Sequence, residues 1–246
     1  MFSLFKSKQP KAPGNTYFPI TMDIHSHILP GIDDGSPDVD TSIKLIEGLM
    51  KLGVKRSVAT PHIISDMYRN DATSINKALT VLKQELVKRK IKFEVWAAAE
   101  YMMDAYFFEL LQNKSKLLTI RDNIILTEFS YASMPHSPEQ MSFAIITEGY
   151  SPILAHPERY GYYYNNYKMF HHLKDLGFLL QVNLLSLTGY YGKEAAKAAI
   201  YMLKNDLISY VGTDMHHERH LEGLQQAVGK DIFRKYLEGK EWNSFK

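Results

Sequence analysis

The sequence predicts an α/β fold in which parallel strands close into a distorted barrel. Three observations predict it. Short apolar runs alternate with helix-length amphipathic stretches along most of the chain. The runs are near-continuously apolar, as strands covered on both faces are. Imidazole or carboxylate side chains recur just after these runs, where a parallel barrel gathers its C-terminal strand ends on one face. Seven units with no switch point favour a closed barrel over an open sheet.

The elements follow in order. Residues 21–26 read as a strand and 40–52 as a helix. Residues 57–60 form the next strand, followed by a long helix over 72–89 and a strand over 93–99. A short helical piece is expected at 107–111 and a strand at 124–129. Ser137 is a candidate N-cap for a helix over 138–148 with Pro138 at its first position. A strand over 153–155 leads to a helix over 166–176 that Gly177 stops. The strand at 178–184, the helix at 194–204, the strand at 208–212 and a helix from about residue 221 complete the series.

A chain of 246 residues suits one such domain, read here as residues 20–246 behind a loose tail over 1–19. The tail's first eight residues carry two lysines, Lys6 and Lys8, and lack the apolar core of a secretory signal. No apolar run reaches the roughly 18 residues of a membrane span, so a cytoplasmic protein is expected. A net charge of +2 argues against nucleic acid as partner. The absence of cysteine excludes thiolate metal sites and cysteine nucleophiles. Any metal must then be held by nitrogen and oxygen, which points to Mn, Fe, Zn or Mg.

His25 and His27 form an H-x-H on a strand, and the period of two puts both rings on one side. Asp214 and His216 repeat the spacing after the last strand. His62, Glu100, Glu128 and His156 stand at intermediate strand ends. Isolated charges are costly to bury, so a shared partner is expected, and a metal cluster is the natural one. Asp33 and Asp34 offer further carboxylates within a turn-forming segment, and spacing does not choose between them. Asp23, two residues before His25, is expected to orient an imidazole. Arg159, three residues past His156, is suited to grip phosphate in two parallel hydrogen bonds, with Arg219 a second candidate. His136, His171, His172, His217 and His220 read as solvent or structural histidines. The tyrosine-rich stretches at 160–167 and 190–191 read as rim packing.

Together, the run from Asp23 to Gly35, Thr60-Pro61-His62, Ala99-Glu100-Tyr101, Glu128-Phe129-Ser130, the run from Ala155 to Tyr160, and Thr213-Asp214-Met215-His216 resemble the bacterial tyrosine-protein phosphatases of the polymerase and histidinol phosphatase (PHP) superfamily. These are manganese-dependent enzymes linked to capsule and exopolysaccharide synthesis. The resemblance covers residues 21–224 and implies a distorted seven-stranded barrel holding three divalent metals, with manganese expected. It implies that His25, His27, Glu100 and Asp214 hold the first. Glu100 bridges to a second completed by Glu128 and His156, and Asp34, His62 and His216 hold the third. The resemblance thus favours Asp34 over Asp33. The expected reaction is attack of a metal-bridging hydroxide on a phosphotyrosyl phosphorus, with Arg159 and His62 assisting. The expected partner is the tyrosine-rich tail of a membrane-associated tyrosine kinase. Histidinol phosphate or nucleic-acid hydrolysis, and a metal-bound module that binds phosphotyrosine without hydrolysing it, are the rival readings.

Overall fold

A computed structural model describes residues 17–245, so the expectations for most of the 1–19 tail lie outside the described residues. Helix starts are written locally. Helix α1 (Val39–Lys51) begins where the Asp38 side chain accepts from Thr41 N. Helix α2 (Ala72–Lys88) begins with a reciprocal capping box between Asp71 and Ser74. On α2 the buried residues Ile75, Ala78, Leu79, Leu82 and Leu86 recur at helical spacing and form one stripe against the sheet. Each buried leucine or isoleucine contributes about 1.5–3 kcal/mol.

The remaining helices are α3 (Ala105–Gln112), α4 (Pro138–Thr147), α5 (Lys168–Asp175), α6 (Lys193–Lys204), α7 (Glu218–Gly229) and α8 (Ile232–Leu237). Gly177 follows α5 with φ +96°, the left-handed stop expected of it. Ser137 does precede α4, but its side chain makes no capping hydrogen bond. Helix α8, which buries Phe233 and Leu237, was not expected, because its short run falls below a clear helical period.

The strands are β1 (Met22–Ser26), β2 (Arg56–Ala59), β3 (His62–Ile63), β4 (Glu94–Ala97), β5 (Glu100–Met102), β6 (Ile124–Glu128), β7 (Ser151–Ala155), β8 (Leu179–Asn183) and β9 (Ile208–Gly212). All ladders between them are parallel, in the orders β1-β2-β4 and β3-β5-β6-β7-β8-β9. The strand expected over 93–99 is shorter, β4, and after a break at Ala98-Ala99 an unexpected strand, β5, follows; the chain from β2 to β3 is broken at Thr60-Pro61, where proline supplies no ladder donor. Hydrogen bonds across the breaks, Ala98 N to Ala59 O (2.8 Å) and Glu100 N to Pro61 O (3.0 Å), keep the two sheets continuous. Asp214 N donates to His25 O (2.8 Å) and His27 N to Met215 O (2.9 Å), joining the end of β9 to β1. The pairings therefore run in a ring, and every ladder points its C-terminal ends to one face. No helix among the described residues is long and apolar enough to cross a membrane.

Candidate metal centre

His25 and His27 are fully buried at the end of β1, their Nε2 atoms 3.2 Å apart. Glu100, at the start of β5, is also fully buried. Its Oε2 lies 3.2 Å from Nε2 of both His25 and His27, and its Oε1 3.0 Å from His156 Nε2. Asp214 Oδ1 lies 3.3 Å from His25 Nε2 and 3.4 Å from His216 Nδ1. His62 stands between groups, with Nδ1 2.9 Å from Glu128 Oε1 and Nε2 3.5 Å from Asp34 Oδ1. Asp34 Oδ1 is also 3.5 Å from His216 Nε2. The His216 ring stacks on His27 at 3.9 Å.

These donors form overlapping groups whose ligand atoms lie within 4.8 Å of one another: His27, Asp34, His62 and His216; His25, His27 and Glu100; His25, His156 and Asp214; His62, Glu100 and Glu128. These groups overlap, so they bring the donors together without dividing them among ions. His62 joins Glu100 and Glu128 as well as Asp34 and His216, and His156 joins His25 and Asp214.

The ends of two strands are shaped to deliver these groups. His156 (φ +36°) and Asp214 (φ +51°) both adopt left-handed backbone, uncommon for residues with a side chain. Such conformations carry strain of about 1–3 kcal/mol each and persist where surrounding structure enforces them. At the β1–α1 turn, a Cβ on Gly35 would meet His27 O at 2.2 Å, so only glycine lets this loop close over the histidine.

Asp33 and Asp34 have separate jobs. Asp33 Oδ2 lies 2.8 Å from His27 Nδ1 and accepts from His62 N, while its Oδ1 accepts from Gly35 N. Burial opposes its charge, yet the His27 ring outweighs that and lowers its pKa to about 2. Asp23 does not touch an imidazole, contrary to expectation. Its carboxylate accepts from Thr213 N and Oγ1 and from the backbone N of His25, so it pins the β9 end to β1. Burial pushes its pKa up to about 6.

A cavity of about 240 Å³ opens over the cluster. Asp34, His62, Glu128, His156, Asp214 and His216 line it, with Tyr131, Arg159, Tyr191, His217 and His220. Arg159 Nη1 donates to Asp214 Oδ2 (2.8 Å) rather than to Glu158. Its guanidinium lies over the rings of Tyr191 (4.2 Å) and Tyr131 (5.1 Å). Arg219 is exposed on the first turn of α7 and is not among the lining residues, since the chain after His216 turns outward into that helix. His136 lies against a neighbouring cavity with Pro135 and Tyr162. His217 and His220, read as bland, do line the site, and burial lowers His220 to a pKa of about 4.

Tyr131 was missed. It stands three residues past Glu128, and its hydroxyl lies 3.1 Å from His156 Nδ1. The only signal was its place just beyond a donor-bearing strand end. Gln181 and Asn183 were also missed, inside a strand that reads as core.

A metal fits these residues on two counts. The donor set is imidazole and carboxylate, suited to divalent first-row ions. Three buried atoms, His62 Nδ1, Glu100 Oε1 and Glu128 Oε1, lack an aligned hydrogen-bond partner although imidazole nitrogens and carboxylate oxygens face one another about 3 Å apart. Unpaired buried polar atoms are costly, and a cation satisfies them together.

The fold and site define a parallel α/β protein whose strand ends gather nitrogen and oxygen metal donors beneath a small polar cavity. The chain belongs to the CpsB/CapC family of capsular polysaccharide synthesis, whose model matches residues 21–240. It is 32% identical over 199 residues to the tyrosine-protein phosphatase YwqE of Bacillus subtilis, covering 80% of this chain and 77% of that one. It is 29% identical to the putative tyrosine-protein phosphatase CapC of Staphylococcus aureus, covering 79% and 76%. Among solved structures it is similar to one described under YwqE and Streptococcus pneumoniae CpsB as unique metal-dependent tyrosine phosphatases, with a TM-score of 0.75, 27% identity and coverage of 90% and 96%. Histidinol phosphate phosphatase from Lactococcus lactis shares the fold alone, at a TM-score of 0.50 and 12% identity.

Proposed function

We propose that this protein is a metal-dependent protein-tyrosine phosphatase acting in polysaccharide synthesis. The observation that carries this reading is the position of Glu100. One fully buried carboxylate stands within 3.2 Å of ring nitrogens from three histidines on two different strand ends. Family membership and phosphatase relatives supply the reaction type.

His25, His27, Glu100 and Asp214 would hold one ion, Glu128 and His156 would complete a second with Glu100, and Asp34, His62 and His216 a third, with manganese the expected element. Such ions supply a water nucleophile at neutral pH and neutralise phosphoryl oxygens. The chain's own residues do the rest. Arg159 uses one N–H on Asp214 and lines the cavity, which suits a phosphoryl group. Tyr131 and Tyr191 hold the guanidinium plane between them. A tyrosyl oxygen has a pKa of about 10 and leaves more readily than an alkoxide, so little general acid is required. His62 lines the same cavity. No cysteine is present to form a phosphoenzyme. The tyrosine-rich tail of a membrane-associated kinase is the proposed substrate.

Side-by-side turnover of a phosphotyrosyl peptide, histidinol phosphate and single-stranded DNA in manganese tests the reading. Preferred hydrolysis of the peptide is expected. Preference for either rival substrate, or peptide binding without phosphate release, would contradict it.

A further inference from the structure

Strand β8 supplies none of the candidate metal donors, yet it carries two fully buried amides, Gln181 and Asn183, on one face of the strand. They connect two donors from other strands. Asn183 Nδ2 donates to Asp214 Oδ2 (2.6 Å), Gln181 Nε2 donates to Asn183 Oδ1 (2.9 Å), and Gln181 Oε1 lies 2.8 Å from His25 Nδ1.

The direction of this chain is forced. An ionised carboxylate only accepts, so Asn183 must turn its amide nitrogen to Asp214 and its oxygen to Gln181. Gln181 must then meet that oxygen with its nitrogen and present its own oxygen to His25. An amide oxygen also only accepts, so the proton of His25 is held on Nδ1. That leaves Nε2, facing His27, Glu100 and Asp214, as the nitrogen that would bind an ion once it gives up its own proton. Packing reserves the space: a Cβ on Gly212 would meet Gln181 Nε2 at 2.9 Å and His25 Cβ at 2.8 Å.

We propose that Gln181 and Asn183 are positioning residues that let Asp214 fix the tautomer and orientation of His25, so that both donors face one ion. This rests on the metal reading of the site. Partners that orient a metal-bound histidine typically change metal affinity about 10–100-fold when removed.

Manganese binding to the full chain, stripped with chelator, is read by titration calorimetry. Gln181→Met and Asn183→Leu are each expected to weaken binding about 10–100-fold, with thermal unfolding little changed. The double variant is expected to lose no more than the weaker-binding single variant, because either change breaks the same chain. The manganese concentration for half-maximal phosphate release should rise by the same factor, with turnover recovering at saturating manganese. Should Gln181→Met fail to fold, Gln181→Leu likewise leaves His25 Nδ1 without its acceptor and is expected to weaken binding by the same factor. Unchanged manganese affinity in a folded Gln181 variant overturns the proposal, and so do fully additive losses. A wild-type chain that takes up no manganese overturns instead the metal reading beneath it.

Discussion

Arg159 Nη1 stands 2.8 Å from Asp214 Oδ2, so the guanidinium that faces the cavity is fixed by a carboxylate that also faces His25. Two tyrosine rings flank it. Arginine's planar fork makes both contacts at once, and a lysine ammonium lacks that plane and its spare donors.

Replacing Arg159 should therefore impair turnover with metal content preserved. Arg159→Ala is expected to lower kcat/KM for a phosphotyrosyl peptide by about 100–1000-fold, in line with loss of one transition-state donor. Arg159→Lys should recover little of this. Steady-state kinetics with elemental analysis checks it; near-wild-type turnover in Arg159→Ala would remove the residue from the chemistry.

Metal uptake should release protons at pH 7. Burial opposes a charge on His25, but the carboxylates of Glu100 and Asp214 outweigh it and raise its pKa to about 9 in the ion-free site. At pH 7 His25 is then protonated, and a metal must displace that proton to reach Nε2. Binding should weaken as pH falls from 9. Calorimetry in buffers of different ionisation enthalpy reads the release directly, and a buffer-independent heat would refute it.

Glu158 gives a stability prediction. It is fully buried, with Oε1 accepting from Asn183 N (2.9 Å) and Ser186 Oγ (2.6 Å) and Oε2 unpartnered. Burial raises its pKa to about 7. A carboxyl with a raised folded pKa favours folding when protonated, so its stabilising effect is complete below the ordinary glutamate range. It is lost as pH rises to about 7, on the order of 3 kcal/mol across that window. Glu158→Gln stays neutral throughout. Its melting temperature relative to wild type should climb between pH 5 and pH 7 and level off above. A difference that does not vary with pH would count against a buried protonated Glu158.

Much of this site could be read before any fold was known, because donors at strand ends announce themselves by residue type. His25 with His27, and Asp214 with His216, stand out through spacing alone. Spacing could not separate Asp33 from Asp34, since either satisfies a turn; the resemblance favoured Asp34, and the contact of Asp33 with His27 Nδ1 divides their roles. Gln181 and Asn183 were hidden for a different reason. An amide within an apolar strand has no meaning until its neighbours across the sheet are known, and those neighbours come from residues 25 and 214. The break at Thr60-Pro61 carried a proline as warning, whereas the break at Ala98-Ala99 carried none. Arg219 followed a donor motif in sequence but is carried away from the cavity by the turn into α7.

The most direct measurement is to strip the protein with chelator, titrate manganese back, and follow bound metal and phosphate release from a phosphotyrosyl peptide together. Release should be absent in the stripped protein, appear as the cluster around Glu100 fills, and vanish again on renewed chelation. Phosphate release that persists at full rate in metal-free protein would contradict the account.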